Sequence, residues 1–138
     1  MNIINAVSGT GITQTADGSG LIKVQSNGVT TNALAWGNFY YTGSVMSTRS
    51  SYNVSSITRN GTGDYTINYT TAFADSNYAW LGSTNQNAAG NAANISVGYQ
   101  DNGSNVLYST TQTRILVKFG SGSTVYDPPS VTFAVFGN

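Results

Sequence analysis

The chain has 138 residues, no Cys and no His, and its five basic and five acidic residues cancel to a net charge of +0. No disulfide framework can form, no thiolate or imidazole is available as metal ligand, nucleophile or general base, and no basic footprint exists to neutralise nucleic-acid phosphates or anionic lipid. The length suits one domain and, at most, a short arm.

The first eleven residues, Met1 to Gly11, have neither a cationic start nor a long apolar run, and do not read as a signal peptide. No stretch approaches the roughly 20 apolar residues of a membrane helix. Two short strand candidates follow, Ile12–Thr15 and Leu21–Ser26. Asn27-Gly28 then marks a turn before Val29–Ala33. Up to this point no aromatic residue occurs, whereas Trp36, Phe39, Tyr40 and Tyr41 fall together just beyond. A boundary is therefore placed between an extended β arm, residues 1–33, and a sandwich domain, residues 34–138. The arm holds too little apolar surface to form its own core. Ile3, Ile4, Val7, Ile12, Leu21, Ile22 and Val24 are its candidate oligomerisation and attachment residues. The economical partner for them is the same arm of neighbouring copies, which makes a homo-oligomer the expected state. The alternative is an arm that adds edge strands to its own sandwich.

Beyond the boundary, alternation with a period of two dominates. Ser56–Arg59 and Tyr65–Thr70 flank Asn60-Gly61 and Gly63-Asp64, the signature of a tight hairpin. Tyr65, Ile67 and Tyr69 share one strand face. Asn85–Asn94, rich in Asn, Ala and Gly, reads as an exposed loop. Asp101-Asn102-Gly103 separates Ile95–Gln100 from Val106–Ser109. Ile115, Val117 and Phe119 oppose Arg114, Leu116 and Lys118. Pro128-Pro129 delays a last strand, Val131–Phe136, which is apolar on both faces and so is expected to be central or covered. Helix signals are nearly absent, and Glu does not occur. The expected fold is all-β, an antiparallel sandwich or jelly-roll-like domain.

Chemistry is sparse. Carboxylate catalysis would need two of Asp17, Asp64, Asp75, Asp101 and Asp127, most of which sit at turn signals where an Asp side chain caps its own backbone. Asp101-Asn102-Gly103-Ser104-Asn105 looks like part of a calcium loop but lacks the later bidentate Glu, and reads as a plain turn. Arg49, Arg59 and Arg114 are too few for a patch and are expected to be paired structurally. Trp36, Tyr40, Tyr41, Tyr52 and Tyr126 divide between two roles, core or subunit interface on one hand and a sugar-stacking platform on the other. No catalytic, cofactor or metal site is expected.

The order of residues from Ala35-Trp36-Gly37-Asn38-Phe39 through Arg49-Ser50-Ser51-Tyr52-Asn53-Val54-Ser55-Ser56-Ile57 resembles a module of bacteriophage tail fibres and related virion proteins. The likeness continues through Asn60-Gly61-Thr62-Gly63-Asp64-Tyr65-Thr66-Ile67-Asn68-Tyr69 to Ala79, about a third of the chain. Segments of the arm, such as Thr13–Gly20 and Gln25–Gly28, are similar to low-complexity strands of phage fibres. The resemblance implies a β-rich, trimeric virion component made in the host cytoplasm, with no catalytic residues. In that family a long shaft precedes the module, whereas here only about 33 residues do. A short capsid cement or decoration protein, bound to the major capsid protein, fits that economy. A small tail-fibre or receptor-binding tip that touches a host glycan is the alternative.

Deleting residues 1–33 is expected to leave a folded sandwich and to lower the mass measured by light scattering from trimer to monomer. A truncated chain that stays trimeric would exclude the arm as the oligomerisation element.

Overall fold

The computed structural model describes residues 25–26, 29–30, 32–85, 93–98, 100–101, 104–105, 108–120 and 124–137. All of its regular elements are strands. A small hairpin opens the described chain, β1 (Gln25–Ser26) and β2 (Val29–Thr30), paired Gln25 to Thr30. Eight longer strands then form two four-stranded sheets, every pairing antiparallel.

The first sheet has the order β4 (Met46–Tyr52), β3 (Ala33–Tyr41), β12 (Val131–Phe136), β7 (Ala79–Thr84). The second has the order β5 (Val54–Gly61), β6 (Asp64–Tyr69), β11 (Gln112–Phe119), β8 (Ala93–Val97). The expected β-sandwich is thus the fold of the protein. A second small hairpin is formed by β9 (Gln100–Asp101) and β10 (Ser104–Asn105), paired Ser104 to Asp101.

Alternation explains which residues meet in the middle. Tyr65, Ile67 and Tyr69 of β6 and Thr113, Ile115 and Val117 of β11 are buried from the second sheet. Ala35 and Phe39 of β3 and Val131, Phe133 and Val135 of β12 are buried from the first. Each large side chain taken out of water in this way contributes about 1.5–3 kcal/mol. Phe39 meets Tyr65 edge-on across the gap, with centroids 5.3 Å apart, and Phe133 at 6.4 Å. Phe133 fits because its neighbour in register on β3 is Gly37. A Cβ there would lie 2.7 Å from the Phe133 ring.

Two turns fix the path of the chain, one between the sheets and one within the second sheet. Asn53 alone links β4 of the first sheet to β5 of the second, in the left-handed region at φ 55°. Its side chain donates to the carbonyls of Leu34 (2.9 Å) and Thr71 (3.1 Å) and accepts from the Thr71 amide (2.7 Å). Asn tolerates this conformation better than other non-glycine residues. Between β5 and β6 the turn is Thr62-Gly63, with Gly63 at φ +67° and its Cβ position within 2.9 Å of the Val117 and Tyr126 backbones. Only glycine fits there.

The link from β6 to β7 returns Phe73 and Tyr78 to the core, where Tyr78 meets Tyr69 and Phe73 edge-on and Phe73 lies tilted against Tyr69. The phenol tips of Tyr69 and Tyr78 converge on Thr113, the buried polar residue among the described core residues. The Thr113 hydroxyl lies 2.6 Å from Tyr69 Oη and 2.7 Å from Tyr78 Oη, and Tyr78 Oη also donates to the Ser109 carbonyl at 3.0 Å.

Some sequence expectations move. The loop expected over Asn85–Asn94 ends earlier, because Ala93 and Asn94 already pair with Phe119 and Lys118 in β8; residues 86–92 lie outside the described residues. The strand expected over Ile95–Gln100 stops at Val97, where Gly98 takes φ +62° and breaks the ladder. The strand expected over Val106–Ser109 is absent at its described end, since Tyr108 and Ser109 are outside any strand and Val106 and Leu107 lie outside the described residues; the residues that pair with Gln100–Asp101 are instead Ser104–Asn105. The boundary strand begins at Ala33, so a deletion that ends at Asn32 keeps β3 whole.

Thr113→Val removes the hydroxyl that both phenols use, leaving two buried tips short of a partner. Its expected cost is about 1–3 kcal/mol of unfolding free energy, read from the denaturant midpoint. Thr113→Ser, which keeps the oxygen, is expected to lose less.

Candidate functional site

Two features stand apart from the core, a polar hub at one end of the sandwich and an apolar row on its outside.

The hub is Asp127, on the segment that leads into β12. Its Oδ1 accepts from Arg59 Nε (3.1 Å), the Gly63 amide (2.9 Å) and Tyr65 Oη (2.6 Å), while Oδ2 accepts from Arg59 Nη2 (2.8 Å). Arg59 also lies over the Tyr41 ring, 4.5 Å from its centroid, so one guanidinium touches both sheets. Burial pushes the Asp127 carboxyl up, but the bonds from Arg59, Gly63 and Tyr65 together outweigh it and hold the group below its ordinary value of 3.8. Arg59 is raised, chiefly by its bond to Asp127. Tyr65 is pushed well above the usual phenol range, first by burial and then by its bond to the carboxylate.

The other arginines are held as well. Arg114 pairs with Asp64 through Nε (2.9 Å) and Nη2 (2.6 Å) on the outside of the second sheet. Arg49 donates to Asn38 Oδ1 (2.8 Å), Ser130 Oγ (3.3 Å) and the Pro129 carbonyl (3.3 Å), and lies 4.1 Å from the Tyr40 centroid. All three arginines are thus structurally engaged, as their scarcity implied. The aspartates divide. Asp75 caps its own turn, accepting from the Asn77 amide at 2.7 Å. Asp64 and Asp127 leave the expected turn-capping role and bind arginines, because pairing across the fold brings Arg114 and Arg59 to them. Among the described residues, no three acidic side chains converge as metal ligands would.

The apolar row crosses the outer face of the first sheet. Tyr52 pairs with Trp36, Trp36 with Ala134, and Ala134 with Leu81, one residue from each strand in register. Phe136 stands two residues further along β12, on the same face. Trp36 is 40% exposed, Tyr52 41%, Leu81 56% and Phe136 40%. Small Ala134 between Trp36 and Leu81 leaves a shallow depression, lined in part by Leu81, Ser83, Thr132 and Ala134. The next row is polar, running Ser50, Asn38, Thr132, Ser83. The outside of the second sheet differs in kind, with Thr58, Thr66, Asn68 and the Arg114–Asp64 pair.

This sorts the aromatic candidates. Tyr126 is core, stacked on Phe119 at 3.9 Å with its hydroxyl on the Asn85 carbonyl. Tyr40 and Tyr41 lie beneath arginines. Trp36 and Tyr52 remain exposed and adjacent. Leu81 and Phe136 were not singled out in the sequence, although the two-faced apolarity of Val131–Phe136 was a signal. That strand is central as expected, yet no described residue covers Phe136. Ile3, Ile4, Val7, Ile12, Leu21, Ile22 and Val24 lie outside the described residues.

Comparison with family models, curated proteins and solved structures finds no match for this chain.

The hub generates a pH dependence. A carboxyl held below its unfolded value adds stability that is present above that value and is lost as pH falls through the folded one. Asp127→Asn is therefore expected to cost about 1.5–3 kcal/mol near neutral pH, and the gap from the native chain should close as pH drops below about 3.8. Denaturant titrations of both chains across that range check this.

Proposed function

We propose that the chain is a virion structural protein, a homotrimeric capsid cement or decoration protein that binds the major capsid protein and stabilises the head shell. It works as a rigid contact module of low charge and not as an enzyme. One observation carries this reading. The described ion pairs and the Arg49 guanidinium are spent inside the protomer, while one whole sheet face offers hydroxyls, amides and an apolar row to the outside. A surface of that kind supports contact through shape, apolar burial and neutral hydrogen bonds. The resemblance of residues 35–80 to phage fibre modules points to the same setting. Its low charge fits neither nucleic acid nor a membrane surface as partner.

The second reading is a small tail-fibre or receptor-binding tip. The neighbouring exposed rings of Trp36 and Tyr52 favour it, since sugar rings stack on such pairs and the Ser50–Asn38–Thr132–Ser83 row could meet sugar hydroxyls.

Purified protein mixed with capsids that lack it is expected to bind them equally at low and high salt, because little charge is available to be screened. Binding should raise the temperature at which the shells rupture, and trimeric valency should add avidity. Attachment to host cells with no capsid binding would overturn the cement reading in favour of the receptor tip.

A further inference from the structure

We infer that the outer face of the first sheet, centred on Trp36, Leu81 and Phe136, is where a second copy of this chain packs in the trimer. The inference rests on the trimeric reading above and names the surface that the trimer would bury.

Three observations select a second copy as the occupant. The two outer faces of the sandwich are unlike. The second sheet carries Thr58, Thr66, Asn68 and a salt bridge, whereas the first carries Tyr52, Trp36, Leu81 and Phe136, four of the six large apolar side chains exposed among the described residues. An apolar centre with aromatic anchors, rimmed here by Ser50, Asn38, Thr132 and Ser83, has the composition of a subunit contact.

Charge is the second observation. The guanidinium on this face, Arg49, is already held by Asn38, Ser130 and Pro129 and lies over Tyr40. The partner surface must therefore be neutral and rich in hydroxyls and apolar groups. The chain itself, 7% charged with a net charge of +0, meets that description.

The place where the chain enters the sandwich is the third. Ala33, the first residue of β3, pairs in register with Phe136. Gln25 is opposite Thr30, so Gln25 lies within about 15 Å of Ala33. If the arms of three copies meet, their exit points are drawn together. The corner nearest those exits is the one that bears Phe136, with the Trp36 row about 7 Å beyond it. Joined arms hold the copies at high effective concentration, so a modest apolar contact is enough to close the assembly.

The native chain has no Cys, so single thiols report their own surroundings. Full-length Phe136→Cys, Leu81→Cys and Thr58→Cys variants would be labelled with a maleimide, with the mass of each and of the native chain measured by light scattering. All three positions are exposed in a single chain. The expected result is a trimer in which the thiols at 136 and 81 react at least about tenfold more slowly than the thiol at 58, as packing excludes water and reagent. Phe136→Asp and Leu81→Asp are expected to lower the mass toward the monomer while thermal unfolding stays cooperative. A trimeric native chain whose thiols at 136 and 81 react as fast as that at 58 overturns the inference and leaves the trimeric reading standing. A monomeric native chain overturns both. Reactive thiols in a trimer whose tryptophan fluorescence is quenched by host-cell polysaccharide would give the face to a glycan and also overturn the inference.

Discussion

Phe39 meets Tyr65 edge-on across the gap between two sheets, and that seam holds the molecule together. The chain has no Cys and so no disulfide to join one sheet to the other, and no helix occurs among its described elements. The seam extends through Phe133, Val131 and Val135 on one side and Ile67, Ile115 and Val117 on the other. Its aromatic character sets a further requirement. Each buried phenol carries a polar tip that must find a partner, since an unpaired one costs more than the bond is worth. Thr113 serves Tyr69 and Tyr78, and Asp127 serves Tyr65. The positions of those two residues follow from the packing of the rings.

The same economy governs the ions. Arg59 meets Asp127 and the Tyr41 ring, Arg114 meets Asp64, and Arg49 gathers Asn38, Ser130 and the Pro129 carbonyl. Each guanidinium thus ties a strand to a distant part of the chain. Half-buried charges of this kind hold geometry more than they add net stability. The consequence lies outside the core. With its arginines engaged internally, the protein presents a surface of hydroxyls, amides and apolar groups, with little long-range field to attract or repel a partner.

Such a surface suits a component whose work is contact. The two outer faces differ in kind. One is polar and carries a salt bridge, and the other bears a row of Tyr, Trp, Ala and Leu across all four strands. A face of this composition is costly to leave in water and is characteristic of association. Its position beside the start of β3 puts it at the corner where the described sandwich begins.

The fold class was open to reading from residues alone, because period-two alternation puts Tyr65, Ile67 and Tyr69 on one side of a strand whatever that strand pairs with. The hairpins signalled by Asn27-Gly28 and by Asn60-Gly61 with Gly63-Asp64 were equally local, as turns depend on the conformations that a few residues allow. The engagement of the arginines also followed from their scarcity, though not the identity of their partners. Tertiary structure decided the rest. Asp127 and Arg59 are 68 residues apart, and only the packing of the two sheets makes them a pair. Tyr126 and Trp36 are both aromatic, and their sequence surroundings do not say which is buried. Strand order does, by placing Trp36 on the outward side of β3 and folding Tyr126 back onto Phe119. The apolar row has the same origin, since Tyr52, Trp36, Ala134 and Leu81 become neighbours through register across three strand pairs, and register is a property of the assembled sheet.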